Sequence, residues 1–396
     1  MVSLSRRVAA IAESPTLSVS ARANALRAEG VPVIGFGAGE PDFPTPAHIV
    51  EAAQRAATDP VLHKYTPTAG LPKLREAIAA QQSRRTGKDV RPEQVVVANG
   101  GKHALYNVFM ALIEPGDEVL VPAPYWVSYP EQIRLAGGIP VAVPTDASTG
   151  FRASVETLDA HVTERTRALV FVSPSNPTGA VYPPDEIATI GAWAAARGIW
   201  VITDEIYAEL VYGDATFASM PALVDDAERI IVVDGVAKTY AMTGWRVGWS
   251  ITSEEMAAGI NRFHSHVTSN VANVSQAAAL AALTGPQDAV DEMRDAFDRR
   301  RRLAVDLLSS IDGVDVVDPA GAFYVFPSFA GALGRRIGNT TVTSTLDLAT
   351  ALLDVANVAI VPGEAFGAPG YARLSYALSD DDLDTGIRRI SDALAW

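Results

Sequence analysis

The chain has 396 residues, 48% of them hydrophobic and 20% charged, which suits a large buried core divided over two domains and excludes global disorder. Its 32 basic and 46 acidic residues leave a net charge of −14, which argues against nucleic acid or an anionic membrane as partner. With no cysteine, disulfides, thiolate metal sites and cysteine nucleophiles are excluded, and the six histidines show no ligand spacing, so no metal is expected.

From the N-terminus, MVSLSRRVAAIAESPT holds no apolar stretch of signal-peptide length, and no later run approaches a membrane span. A cytoplasmic location is therefore expected. The GFGAGE run at Gly35–Glu40 resembles a dinucleotide fingerprint, but Glu40 stands where its third glycine belongs, and Pro41, Pro44 and Pro46 forbid the helix that should follow. Short β-branched runs then recur at Gln94–Ala98, Glu118–Pro122, Ala168–Ser173, Trp200–Glu205 and Arg229–Asp234. They are apolar almost throughout, as strands buried on both faces are. Helical stretches such as Lys102–Ile113 and Asp185–Arg197 lie between them. The alternation predicts an α/β fold with a mostly parallel sheet, whose ligands sit at the carboxyl ends of strands.

A long helix is predicted after Pro286, with Val290, Met293, Phe297, Ala304 and Leu308 on one face. The dense basic run Arg299–Arg302 within it reads as one solvated turn. The segments Gly321–Phe326 (GAFYVF) and Val358–Gly363 (VAIVPG) read as part of a smaller α+β unit. The expected division is a large domain over 45–295 and a small one from 296–396, with 1–44 packing against it.

Several strand ends carry chemistry-bearing residues. GVAKTYAMTGWRVG (Gly235–Gly248) follows the RIIVVD run, so Lys238 stands just beyond a strand. A lysine desolvated there has a lowered pKa and serves as an amine nucleophile toward a carbonyl. Arg246, eight residues on, offers a planar fork to a phosphate. Asp204, in TDEIY (Thr203–Tyr207), closes the WVITDE run, where an acid can meet a cationic ring nitrogen. SPSNPTG (Ser173–Gly179) makes a stiff loop around Asn176, and NGGK (Asn99–Lys102) joins a strand to a helix start whose free N–H groups suit an anion. Trp126, in PYW, can stack on a flat ring. Singly, each has a plainer reading: a surface lysine, a helix N-cap, an ordinary turn, a core aromatic. Their recurrence at five strand ends is what favours a site.

These motifs, in this order, resemble the fold-type I pyridoxal 5'-phosphate (PLP) enzymes of the class I/II aminotransferase family, and within it the bacterial aspartate aminotransferase branch, subgroup Iβ. The resemblance runs from SLSRRV near the start to RLSYA near the end. It implies a PLP-transferase fold: a large domain with a mostly parallel sheet flanked by helices, plus a smaller α+β domain. It implies ping-pong transfer between an amino acid and a 2-oxo acid by way of pyridoxamine phosphate. On this resemblance Lys238 would hold the cofactor and shuttle the proton at the substrate α-carbon. Asp204 would pair with the pyridine nitrogen, Tyr207 and Asn176 would bind the phenolic oxygen, and Trp126 would stack on the ring. Arg246 and the backbone of Gly101 and Lys102 would hold the phosphate. Tyr65, in KYTPTAG, would reach the phosphate of a neighbouring subunit, which implies a homodimer with shared sites. Arg373, in RLSYA, would clamp the substrate α-carboxylate, with Gly39 contacting it through its backbone. The family's serine two or three residues before the lysine is missing, since Gly235 and Val236 stand there.

Lys102 also occupies the position that, in this branch, recognises the distal carboxylate of aspartate or glutamate. L-aspartate with 2-oxoglutarate is accordingly the leading substrate pair. Relatives that use prephenate can carry a basic residue in the N-terminal segment, and AAIAES around Ala12 lacks one. Prephenate therefore ranks below aspartate, and it stays open as an alternative together with alanine or aromatic amino acids and a β-lyase reaction using the same lysine. A regulator with an aminotransferase-like domain is disfavoured by the charge. His103 follows Lys102, and the resemblance assigns it no role.

Overall fold

The computed structural model describes residues 4–11 and 15–395; Ala12, weighed above for prephenate, lies outside them. An N-terminal helix, α1 (Pro15–Ala28), precedes the main sheet. The apolar runs become strands β1 (Val95–Ala98), β2 (Glu118–Ala123), β4 (Thr166–Val172), β5 (Trp200–Asp204) and β6 (Ile230–Gly235). Two more strands, β3 (Ile139–Pro144) and β7 (Gly248–Ile251), complete a seven-stranded sheet of order β1-β7-β6-β5-β4-β2-β3. The pairings among β2, β3, β4, β5 and β6 are parallel, whereas β7 runs antiparallel to both β1 and β6.

Strand alternation divides the buried side chains between two cores. Val95, Val97, Leu120, Leu169, Val201 and Val232 face one, under α3 (Pro184–Arg197) and α5 (Asn273–Thr284). Val96, Val119, Val121, Val170, Ile202 and Ile231 face the other, under α2 (Gly101–Leu112) and α4 (Glu254–Val267). Each such buried Val, Ile or Leu contributes about 1.5–3 kcal/mol, so both faces must be apolar and the strands read as unbroken hydrophobic runs. The strand missed at Ile139–Pro144 contains two prolines and is largely exposed, which a sheet edge tolerates. The one missed at Gly248–Ile251 is short and begins with glycine.

A third core gathers the N-terminal Ile34 and Phe36 with C-terminal elements. Ile34–Gly35 pairs in parallel with Val358–Ala359. The long helix α6 (Asp288–Ser309) contributes Met293, Phe297, Ala304 and Leu308 to this core, whereas Val290 at its start packs in the first sheet core. Three short strands, β8 (Tyr324–Val325), β9 (Val361–Pro362) and β10 (Ala372–Ser375), form an antiparallel sheet of order β9-β10-β8. GAFYVF is thus strand at only two residues, and VAIVPG breaks at Ile360 into two strands with different neighbours. The closing helix α7 (Asp380–Leu394) buries Leu383, Ile387 and Ile390 in the same core, against α6 and the Ile34–Gly35 and Val358–Ala359 pair.

The basic run is not a solvated turn. Arg299 and Arg302 are exposed, but the helical period turns Arg300 and Arg301 onto the packed face. Arg300 bonds Asp42 at 2.8 Å and Asp380 at 2.7 Å, while Arg301 bonds Asp298 at 2.8 Å and also Asp318. Paired carboxylates make these buried cations tolerable.

Candidate active site

The carboxyl ends of the parallel strands open onto a cavity of about 620 Å³. Its walls include Gly39, Gly101, Lys102, Trp126, Asn176, Asp204, Tyr207, Lys238, Arg246 and Arg373. Of the residues to which the resemblance assigns a role, Tyr65 alone is outside the cavity lining, and it is 93% exposed. Its segment is nevertheless fixed: Asn273 donates to the carbonyls of Leu62 (2.9 Å) and Lys64 (2.7 Å) and accepts from the Thr66 hydroxyl (2.7 Å).

Lys238 follows β6, and its Nζ donates to the Gly39 carbonyl. Burial pulls its pKa down to about 8, partly opposed by Glu40 and reinforced by Arg373 and Arg246. Asp204, the last residue of β5, is 5% exposed. Its Oδ2 accepts a 2.7 Å bond from the Tyr129 hydroxyl and its Oδ1 accepts from the Ile206 N–H at 3.2 Å. Burial pushes its pKa up to about 6 against the pull of those bonds. No helix begins at Asp204, so it is not an N-cap: one oxygen closes the turn at Ile206, while the residue lines the cavity.

The anion end of the cavity is the turn Asn99–Gly101. The first N–H groups of α2 have no helical acceptors and face a site where negative charge is favoured. Gly100 lies at φ +82°, and a Cβ there would fall 2.8 Å from Arg246 Nη2. A Cβ on Gly248 would fall 2.4 Å from the Gly101 nitrogen, so only glycine lets β7 pass this close. Arg246 itself adopts the left-handed region at φ +56°, uncommon for a residue with a side chain. Its Nη1 donates to the Thr243 carbonyl (3.1 Å) and its Nη2 to the Asn99 carbonyl (3.4 Å), which together aim the guanidinium at the turn. The Lys102 ammonium lies 5.0 Å from the Trp126 ring centroid, and burial followed by Arg246 lowers its pKa.

Opposite, Arg373 on β10 is 3% exposed. Its Nη1 donates to Asn176 Oδ1 (3.0 Å), its Nη2 donates to the Gly37 carbonyl (2.9 Å), and its guanidinium lies 4.5 Å over the Tyr324 ring. Its Nε is buried with no hydrogen-bond partner, and among the described residues it makes no ion pair. A desolvated, uncompensated guanidinium is costly and has its pKa lowered by burial. It is what a site awaiting a carboxylate contains. Tyr207 shares a 2.9 Å bond with the Tyr324 hydroxyl.

The sequence reading missed Tyr129, Tyr324 and the cavity-lining Asn24 and Arg27 of α1. Tyr129 follows Trp126 by three residues at a helix start, a spacing that puts both on one side. Tyr324 sat inside GAFYVF, a segment read only as part of the smaller α+β unit. For Asn24 and Arg27 no local pattern gave a signal.

The chain matches the family described as Aminotransferase class I and II over residues 31–390. It is 58% identical to an aspartate aminotransferase of Streptomyces avermitilis over 99% of this chain and 96% of that one. Among solved structures it superposes on the aspartate aminotransferase of Rhizobium meliloti with a TM-score of 0.94 at 39% identity, covering 100% of this chain and 99% of the other. It superposes on the Thermus thermophilus aspartate aminotransferase with maleate with a TM-score of 0.93 at 41% identity, covering 100% of both chains. The chain belongs to the class I and II aminotransferases: it is an enzyme that transfers amino groups between amino acids and 2-oxo acids. No helix among the described residues is long and apolar enough to cross a membrane.

Proposed function

We propose that this aminotransferase carries PLP in the cavity and transfers the amino group of L-aspartate to 2-oxoglutarate. The observation that carries the reading is Arg373, a buried guanidinium whose Nε lacks a partner at the wall of a cavity that also holds a desolvated lysine. The donor set fits the cofactor: an anion turn with Arg246 for a phosphate, a buried carboxylate for a pyridine nitrogen, and a lysine near neutral pKa for an aldehyde. Bound there, PLP supplies an electron sink for the substrate α-carbon.

The chain's own residues do the rest. Lys238 holds the cofactor and then, as a free amine, moves the proton at the substrate α-carbon. Asp204, kept in place by Tyr129, faces the ring nitrogen and favours its protonated form. Tyr207 donates to the phenolic oxygen, and Asn176 does so through its amide nitrogen, since its Oδ1 already accepts from Arg373. Trp126 covers the ring, while Arg246 and the N–H groups of Gly101 and Lys102 take the phosphate. Arg373 takes the α-carboxylate, with the Gly39 backbone beside it, and the Lys102 ammonium takes the distal carboxylate. Tyr65, exposed on a fixed segment, reaches the phosphate of a second copy, making the enzyme a homodimer. A division into 45–295 and 1–44 with 296–396 belongs to the same reading, supported by the pairing of Ile34–Gly35 with Val358–Ala359. So does the cytoplasm, where free amino and 2-oxo acids circulate.

The test is a half-reaction: PLP-loaded protein with L-aspartate and no oxo acid. One equivalent of oxaloacetate per site is expected. Pyruvate and ammonia released together with a thiol from a β-thioether amino acid, with no oxo acid present, would turn the assignment to a lyase, and no product from L-aspartate would remove aspartate as donor. A monomer by sedimentation, hydrogen exchange without a boundary near residues 45 and 295, or activity recovered with membranes would overturn the remaining parts.

A further inference from the structure

His103 has no part in the chemistry above, yet its ring is bound to the turn that the chemistry depends on. It is the third residue of α2, and its Nδ1 lies 3.2 Å from the Asn99 N–H. A backbone N–H only donates, so Nδ1 must offer a lone pair and any ring proton sits on Nε2.

The reason for a histidine here follows from Gly100. This residue is the N-cap of α2 and supplies no side-chain cap. Its backbone, at φ +82° and ψ 164°, lies where only glycine sits without strain, and a Cβ would also push the Arg246 guanidinium aside. A glycine cap leaves the helix start weaker than a capping Ser, Thr, Asn or Asp by only a few tenths of a kcal/mol, but it contributes no acceptor of its own to the backbone N–H groups ahead of the helix. In a capping box, the residue three beyond the cap reaches back to the backbone ahead of the helix. His103 does this one residue further back, at Asn99. The Asn99 carbonyl in turn accepts from Arg246 Nη2.

The turn is tied a second time through α4. The Asn99 amide donates to Thr268 Oγ1 at 3.3 Å, and the Thr268 N–H donates to the His264 carbonyl at 3.2 Å. The His264 ring meets the His103 ring edge-on at 5.1 Å and lies 3.4 Å from the Asn107 amide. The contacts close a circuit from α2 to the turn, to the end of α4, and back to α2.

We propose that His103 is a positioning residue for the anion turn: a neutral imidazole whose acceptor nitrogen fixes the Asn99 backbone, and with it the alignment of Arg246 and the Gly101–Lys102 N–H groups on the cofactor phosphate. This rests on the cofactor reading given above. The surroundings keep the ring neutral, since burial, then His264 and Arg246, push its pKa down to about 4.

The test compares His103→Phe with His103→Gln in the full chain, reading the PLP dissociation constant by absorbance titration of the apoprotein. Losing one net hydrogen bond predicts affinity weaker by about fivefold in His103→Phe. The carboxamide oxygen of His103→Gln can accept the same N–H and should restore affinity to within about twofold. Histidine ¹⁵N NMR of the wild-type chain should give a pyridine-type Nδ1 for His103. Wild-type affinity in a folded His103→Phe, failure of His103→Gln to outperform it, or a protonated Nδ1 would each overturn the proposal. If His103→Phe does not fold, His103→Gln and the NMR spectrum still decide. Wild-type protein that takes up no PLP would overturn the cofactor reading and this proposal together, whereas normal uptake with an unaffected His103→Phe would overturn this proposal alone.

Discussion

Replacing Arg373 by lysine keeps a positive charge at the end of β10 but removes the fork. In the structure that fork is preset: Asn176 and Gly37 hold its two terminal nitrogens, Tyr324 underlies its plane, and Nε is left without a partner. A lysine ammonium on a flexible stem cannot make two parallel bonds to one carboxylate. Losing one charge-assisted bond of about 1.5–3 kcal/mol predicts a fall in kcat/KM of about 10- to 150-fold. Because the α-carboxylate is common to all amino donors, the loss should be the same for L-aspartate and for a monocarboxylic donor such as alanine. Steady-state kinetics on both donors is the assay. A loss under about threefold, or one confined to dicarboxylates, would refute the assignment of Arg373 to the α-carboxylate.

Lys102→Ala should show the complementary pattern, with kcat/KM for aspartate reduced at least about tenfold and alanine nearly unaffected, since only the dicarboxylate loses a charged partner. Equal effects on both donors would contradict it. Lys238, with its pKa lowered to about 8, should capture PLP covalently at a rate that rises with pH, about tenfold per unit below that value, and levels off above it; stopped-flow absorbance with apoprotein that finds a plateau by pH 6 would contradict this. Glu205 is 1% exposed, and burial pushes its pKa up to about 7 from a usual 4.5. The folded state therefore holds the proton more tightly, and stability declines as pH rises from about 4.5 to 7, by up to about 3 kcal/mol. Glu205→Gln keeps an acceptor for Ser219 and Thr203 and removes that dependence, so denaturant unfolding should show the variant gaining on wild type between pH 4.5 and 7.5. A constant difference across that range would count against a buried neutral carboxyl.

How much of this was legible in the sequence depends on how local the cause is. β1, β2, β4, β5 and β6 were readable because burial on both faces demands unbroken apolar runs, and the site followed because Asp204 and Lys238 come directly at the ends of two of them. β3 was hidden by prolines that only an edge permits, and β7 by its brevity beside a motif-rich loop. The support of Asp204 by Tyr129 spans 75 positions, and that of Tyr207 by Tyr324 spans 117, distances over which no periodicity speaks. Arg300 and Arg301 were misread for the same reason. A charge run looks solvated until Asp42, Asp318 and Asp380, remote in sequence, are seen to neutralise it.

The long helix α6 has one further consequence. Val290 is packed with the main sheet, while Met293, Phe297, Ala304 and Leu308 are packed with the C-terminal core. The same helix thus feeds two hydrophobic cores, with the changeover inside a single turn. Over the roughly 22 Å from Met293 to Leu308, a 10° bend at the changeover would carry the far end by about 4 Å. Arg300 lies on that stretch and grips Asp42, in the segment that begins at Gly39, whose carbonyl holds Lys238. A chain of contacts thus links this helix to the Gly39 carbonyl beside Lys238.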